Sequence, residues 1–200
     1  MASVEHPYNF NCPVYKFPLR TQKTIRVGFI GVGRRAKGII AFFQLARSFS
    51  HWISAGELEF ILVGGLESRL IANSAEDHRV TILAENGAGL APHQYREAIS
   101  ELDCALFLSS QNYSLTASGS VFDALNAGIE ILSLKSDYLA DIAKYDPEGG
   151  IKLFDSLSEI ELELKRRLAH GWPRRKFEYS QLKIRHAKES MNLLSVRLTS

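Results

Sequence analysis

Three cations crowd one glycine turn. In Gly31-Val-Gly33-Arg34-Arg35-Ala36-Lys37-Gly38 the glycines let the backbone come close to a ligand, and Arg34, Arg35 and Lys37 place positive charge at the mouth of the loop. Between a strand and a helix N-terminus, such a turn is a phosphate site, because free N–H groups and the helix dipole favour negative charge. Three cations there point to a diphosphate. A second cluster repeats the chemistry. Ser114, Thr116, Ser118, Gly119 and Ser120 lead into a helix, where their hydroxyls and N–H groups can meet phosphate. Asp123, about one and a half turns along that helix, is placed to accept hydrogen bonds from ribose hydroxyls. Each cluster also has a plainer reading: an ordinary βα turn with solvated basic side chains, and a serine N-cap followed by a solvated aspartate.

The elements that must position these residues alternate regularly. Residues 25–30 form a short apolar, β-rich run, and an amphipathic pattern follows from about 38 to 54, closed by Gly56. A second strand covers 58–64, a short helix falls within 66–77, and a third brief strand covers 80–83. After a loop at 87–92, Pro92 is well placed to start a helix through Glu101. A fourth strand (103–108) is continuously apolar, as a buried parallel strand should be. A polar loop (109–116), a helix (118–127) closed by Gly128, and strands at 129–134 and 151–154 come next. Ser156 or Ser158 caps a helix to about 168, Pro173 breaks the chain, and a final helix covers roughly 180–196. Strands alternating with helices predict an α/β, Rossmann-like three-layer fold with a parallel sheet of about six strands. Ligands then sit outside the carboxyl ends of the strands.

Composition narrows the classes. The chain has 200 residues, 46% hydrophobic and 23% charged, which suits one soluble domain with a real core. A net charge of +2 is too mild to argue for nucleic acid. No apolar run reaches membrane-spanning length and no signal-peptide pattern opens the chain, so the expected location is cytoplasmic. Cys12 lies in a Pro-rich stretch and Cys104 in an apolar strand, which sets disulfide chemistry aside. Residues 1–23 read as an extended lead-in, 24–172 as the nucleotide-binding domain, and 173–200 as a C-terminal helical segment.

With these residues in view, the chain resembles the C-terminal, donor-binding half of retaining glycosyltransferases of the GT-B fold, of the glycosyl transferases group 1 type. The resemblance is carried by Gly33-Arg34 with Lys37-Gly38, by Phe60-Ile-Leu-Val-Gly64, and by Tyr95 with the Asp103 strand. Its strongest piece runs from Tyr113 through Ser118-Gly-Ser120 and Asp123 to Gly128. The resemblance implies a nucleoside-diphosphate sugar as donor substrate, with no separate cofactor and no metal. It implies that Arg34 and Lys37 are the catalytic pair, neutralising the donor diphosphate. Gly31, Gly33, Arg35, Gly64, Gln94, Tyr95, Ser118, Gly119, Ser120 and Asp123 complete the donor-binding set, Asp123 standing where the family has a ribose-binding Glu. Two positions depart from the pattern: Leu115 replaces a sugar-contacting Glu, and Glu130 stands where a Pro follows the closing glycine. The acceptor-binding half has no room in 200 residues, so a further domain or a partner chain is expected to supply it. The last helix would cross to that domain, leaving Leu193, Leu194 and Val196 partly exposed in isolation and prone to self-association.

Two other readings stay open. Gly31-Val-Gly33-Arg-Arg-Ala36 also fits the dinucleotide fingerprint of NAD(P)-dependent oxidoreductases, although the expected acidic residue after the second strand is delayed to Glu67. A non-catalytic nucleotide-binding subunit is the third class. The six histidines show no metal-ligand spacing, and His93, beside Gln94, is a candidate for the base pocket. The basic groups Lys165-Arg-Arg167 and Arg174-Arg-Lys176, with Lys183, Arg185 and Lys188, read as a solvated or domain-facing surface, with anionic lipid as the less favoured contact.

Overall fold

The computed structural model describes residues 24–67, 70, 79–84, 89–109, 119–172, 177–179 and 182. Six strands form one sheet: β1 (Ile25–Ile30), β2 (Leu58–Val63), β3 (Val80–Ile82), β4 (Cys104–Phe107), β5 (Glu130–Leu134) and β6 (Ile151–Phe154). Their order is β3-β2-β1-β4-β5-β6, and every pairing is parallel. The sequence reversal between β1 and β4 puts a topological switch point at the middle of the sheet. The helices are α1 (Ile39–Ser48), α2 (Ser50–Ser54), α3 (Pro92–Ser100), α4 (Gly119–Ala127), α5 (Asp137–Ala143) and α6 (Leu157–His170).

The strands are apolar on both faces because helices cover both. Val27, Phe29, Phe60, Leu62 and Leu106 point to one side, where they pack with Phe42 and Leu45 of α1 and with Ile160 and Leu164 of α6. Ile61, Val63, Ala105 and Ile131 point to the other, against Ile99 of α3, Val121 and Leu125 of α4, and Leu139 of α5. That is the expected three-layer arrangement. Phe42 fastens α1 down through edge-on contacts, with ring centroids 5.5 Å from Phe29 and 5.2 Å from Phe60.

Differences from the sequence reading are local. The long first helix is divided at the fully buried Phe49, where Ser48 Oγ donates back to the Leu45 carbonyl, 2.9 Å away, and competes with the helical ladder. The sequence pass missed α5, a short helix announced only by Ser136, whose hydroxyl accepts the Leu139 N–H at 3.2 Å. Of the two capping candidates for α6, Ser156 takes the role, accepting from Glu159 N–H. Strand β4 is shorter than expected, because Asp103 turns its carboxylate to the Arg26 N–H, 2.8 Å away. Gly128 ends α4 with a φ of 67°, as its closing role requires. Cys104 is a core residue, its thiol pushed well above the usual range by burial first and the nearby Glu130 charge second. The expected lead-in at 1–23, most of the helix within 66–77 and most of the final helix at 180–196 lie outside the described residues. Just before that final helix, the chain is tied to the domain: Phe177 N–H donates to the Gly128 carbonyl and Tyr179 O–H to the Ile129 carbonyl, both at 2.8 Å. Among the described residues no helix is long and apolar enough to cross a membrane.

Glu130, one of the departures from the family pattern, has a clear structural partner. It opens β5 almost fully buried, and the fully buried Arg167 of α6 grips both its carboxylate oxygens, Nη2 to Oε1 at 2.9 Å and Nη1 to Oε2. Arg167 Nε also donates to Glu163 Oε1 at 2.7 Å, and its guanidinium lies 4.8 Å from the Trp172 ring centroid. Lys165 pairs with Glu161 and Arg166 with Glu163, so the first basic cluster is neutralised within its own helix.

Breaking this pair from one side should be costly. Arg167→Met should lower the unfolding free energy by about 3–5 kcal/mol, and adding Glu130→Leu should restore most of it, as read from urea denaturation. Acid should act through the same network. The hydrogen bond from Arg166 foremost, then those of Arg167, lower Glu163 from 4.5 to about 2 against the opposing effect of burial. A depressed carboxylate stabilises the fold fully above its unfolded pKa, so that contribution should fade between pH 4.5 and about 2, and Glu163→Gln should flatten the profile there.

Candidate functional site

At the switch point, the chain leaving β1 threads between the ends of β2 and β4. Gly31 turns with φ 93°, and its N–H donates to the Val63 carbonyl at 2.9 Å. Gly33 continues the attachment: its N–H donates to the Gly65 carbonyl and its carbonyl accepts from Glu67 N–H, at 2.9 and 3.1 Å. The loop after β1 is thereby held as an extension of the sheet, ending in an isolated bridge between Gly33 and Leu66.

Two glycines fix how close the backbones come. A methyl group on Gly64 would stand 2.4 Å from the Gly31 carbonyl oxygen. One on Gly38 would stand 2.0 Å from the Leu108 carbonyl oxygen just beyond β4. Gly38, with φ 83°, is the site residue that sequence reasoning quoted but did not place in the donor set. Its signal was available as the third glycine of the run, at a longer spacing than the dinucleotide fingerprint has.

This packing brings three of the expected residues to one point. A methyl on Gly31 would lie 3.3 Å from Ser120 Oγ and 3.6 Å from Lys37 Nζ, so Gly31, Lys37 and Ser120 converge. Arg34 and Arg35 are exposed on the same loop. Lys37 is half-buried, and its ammonium is held below the usual range by desolvation first and the neighbouring Arg34 charge second. An anion entering here would offset both by stabilising the charged ammonium.

One expectation about this loop changes. A 3-10 turn over Arg35–Lys37 precedes α1, and the N–H groups of Lys37, Gly38 and Ile39 already donate to the Arg34 and Arg35 carbonyls. These three donors are not the open N–H groups the sequence reading foresaw. The loop presents positive charge chiefly through its side chains.

The second cluster lies opposite. Gly119 and Ser120 open α4, and Asp123 follows Ser120 by three residues, on the same helix face. Asp123 Oδ2 accepts the phenolic O–H of Tyr95, from α3, at 2.9 Å. Gln94, also expected in the donor set, has its Oε1 at 3.2 Å from the Ala91 N–H and so caps the start of α3. Ala91 has no side chain able to return that bond, which makes this half of a capping box. His93 is exposed beside it. Ser118 and Leu115 lie outside the described residues, as do Arg174, Arg175 and Lys176. Just beyond β5, the Lys135 ammonium pairs with Asp155 at 2.7 Å.

No protein-family profile matches the sequence, and no curated protein matches it. Solved structures do match. The C-terminal domain of the glycosyl transferase group 1 family protein LpcC from Francisella tularensis superposes with a TM-score of 0.55 at 11% identity, covering 80% of this chain and 85% of that one. TarM superposes at 0.66 with 14% identity, over 93% of this chain and 37% of the other. The pneumococcal O-GlcNAc transferase GtfA, solved with UDP and GlcNAc, superposes at 0.55 with 14% identity, over 90% of this chain and 37% of the other. The fold is thus that of the C-terminal domain of GT-B glycosyltransferases, and the chain spans well under half the length of TarM and GtfA.

The close approach at Gly38 can be separated from its positive φ. Gly56 also has a positive φ, 71°, but open space around it. Gly56→Ala should cost only the strain of a left-handed residue, about 1–3 kcal/mol. Gly38→Ala should cost clearly more in thermal melting, because the Leu108 backbone must also move.

Proposed function

We propose that this chain is the donor-binding half of a GT-B glycosyltransferase. It would bind a nucleoside-diphosphate sugar at the carboxyl ends of β1 and β4 for transfer with retained configuration. The observation that carries the reading is the convergence of Lys37 Nζ and Ser120 Oγ on Gly31, beside two exposed arginines, at the switch point of a GT-B-type sheet. In this reading the diphosphate lies over Gly31. Lys37 and Arg34 hold the negative charge that grows on the leaving nucleoside diphosphate as the glycosidic bond breaks. Arg grips phosphate oxygens in pairs and Lys acts as a point charge, which suits one of each. Arg35, Gly33 and Gly64 shape the loop, Ser118, Gly119 and Ser120 meet phosphate from the α4 side, and Asp123 accepts the ribose hydroxyls. Gln94 and Tyr95 border the nucleoside from α3.

The chemistry needs neither a metal nor a separate cofactor. The acceptor and the base that serves it come from another domain or a partner chain, and the work is cytoplasmic, at most peripheral to a membrane. The UDP held by GtfA makes UDP the first nucleotide to try.

Calorimetric titration with UDP, GDP and ADP should find one nucleotide that binds, with NAD⁺ and NADP⁺ inert. Lys37→Ala should weaken that nucleotide by roughly ten- to a hundredfold, the worth of a charge-assisted hydrogen bond of about 1.5–3 kcal/mol. Affinity should also decline at alkaline pH as the depressed Lys37 ammonium loses its proton. Binding of a dinucleotide alone would overturn the reading in favour of an oxidoreductase domain.

A further inference from the structure

The hydrogen bond between Tyr95 and Asp123 joins two helices exactly where the nucleoside reading needs a carboxylate, and the two residues do not have the same relation to the site. The Tyr95 ring packs against the core cluster beneath α3 and α4, while its hydroxyl reaches the rim and donates to Asp123 Oδ2 at 2.9 Å. We propose that Tyr95 is a positioning residue: it fixes the rotation of the Asp123 carboxylate so that the ribose diol of a nucleoside diphosphate meets it in one orientation. This rests on the donor-binding reading above.

The physical argument begins with the aspartate. The terminal torsion of Asp is broad and roughly two-fold, so an untethered carboxylate presents its oxygens over a range of directions. A diol is recognised by two acceptor oxygens at once, which requires a defined carboxylate plane. Asp123 is also one methylene shorter than the Glu that the family resemblance implies at this position, and a shorter arm has less freedom to adjust to a ligand. Tyrosine is suited to hold it, since its ring is rigid and anchored by packing while its O–H is directional. Ser120, one turn earlier on the same face of α4, already faces Gly31 and Lys37. The Tyr95 bond therefore sets the carboxylate at a fixed offset from the phosphate end of the site.

The test compares a ligand that has ribose with one that lacks it. The tightest of UDP, GDP and ADP, and separately inorganic pyrophosphate, are titrated into the full chain and into Tyr95→Phe, Asp123→Ala and the double variant. Tyr95→Phe keeps the ring and its packing, and ligand-free melting checks that the fold is retained. Tyr95→Phe should weaken the nucleotide about fivefold, the worth of one hydrogen bond, and leave pyrophosphate unchanged. The double variant should bind within about twofold of Asp123→Ala, because two residues acting as one unit are not additive. If Asp123→Ala weakens the nucleotide while Tyr95→Phe does not, the positioning role is overturned and the donor reading survives. Equal losses for nucleotide and pyrophosphate in Tyr95→Phe would also overturn it, leaving Tyr95 a packing residue. Asp123→Ala without effect, or no nucleotide bound by the unaltered chain, would overturn the ribose assignment and the proposal with it.

Discussion

Backbone against backbone is the constraint on which the candidate site depends. Gly64 lies so near the Gly31 carbonyl, and Gly38 so near the Leu108 carbonyl, that no side chain fits at either position. These contacts draw the ends of β2 and β4 onto the loop that leaves β1. Without them, Lys37 would have no fixed relation to Ser120, because the two belong to different βα units. Their sum is a rigid floor of peptide groups with cationic side chains around it. The backbone bonds of Gly31 and Gly33 to Val63, Gly65 and Glu67 hold the loop's first half to the end of β2 as well.

The opposite edge of the sheet is built on another principle. There Glu130 and Arg167 are buried together, with Glu163 and Lys152 beside them, at the amino ends of β5 and β6. Arg26 makes a similar clamp with Glu59 and Glu101 at the amino ends of β1, β2 and β4. A buried ion pair contributes less to net stability than an apolar replacement often would, but losing one partner is severe. The pair sets which residue α6 must place over β5, and so the register in which that helix returns. Glu130 therefore departs from the family pattern in residue type while the fold around it is kept.

Much of this was legible in the sequence, for identifiable reasons. Strands covered on both faces leave apolar runs such as 60–63 and 104–107, which is why the parallel sheet could be read directly. Gly128 and Ser156 marked helix ends because their roles are local. What escaped was either too short to show a pattern or set by partners far along the chain. The break at Phe49 turns on one local Ser48 bond, α5 is too short to show a period, and the Glu130–Arg167 pair joins residues with no sequence relation. In the site, the cationic turn was evident from residue type. That Gly38 meets Leu108, that Tyr95 reaches Asp123, and that the first N–H groups are spent within the turn are all facts of tertiary packing. They have no signature in spacing.

The two edges also differ in how their charges are balanced. Arg26, Lys152 and Arg167, at the amino ends of the strands, each face carboxylates, whereas among the described residues Arg34, Arg35 and Lys37 at the carboxyl ends have no acidic partner. Among the described residues, unpaired positive charge is therefore gathered on the loop after β1, although the whole chain carries a net charge of only +2. Such a field turns an approaching polyanion toward one rim before contact and fades within roughly 8 Å at physiological ionic strength. A molecule that is nearly neutral overall can in this way favour one direction of approach, and dissolved salt becomes a control on how quickly encounters are made while the paired rim stays largely indifferent to it.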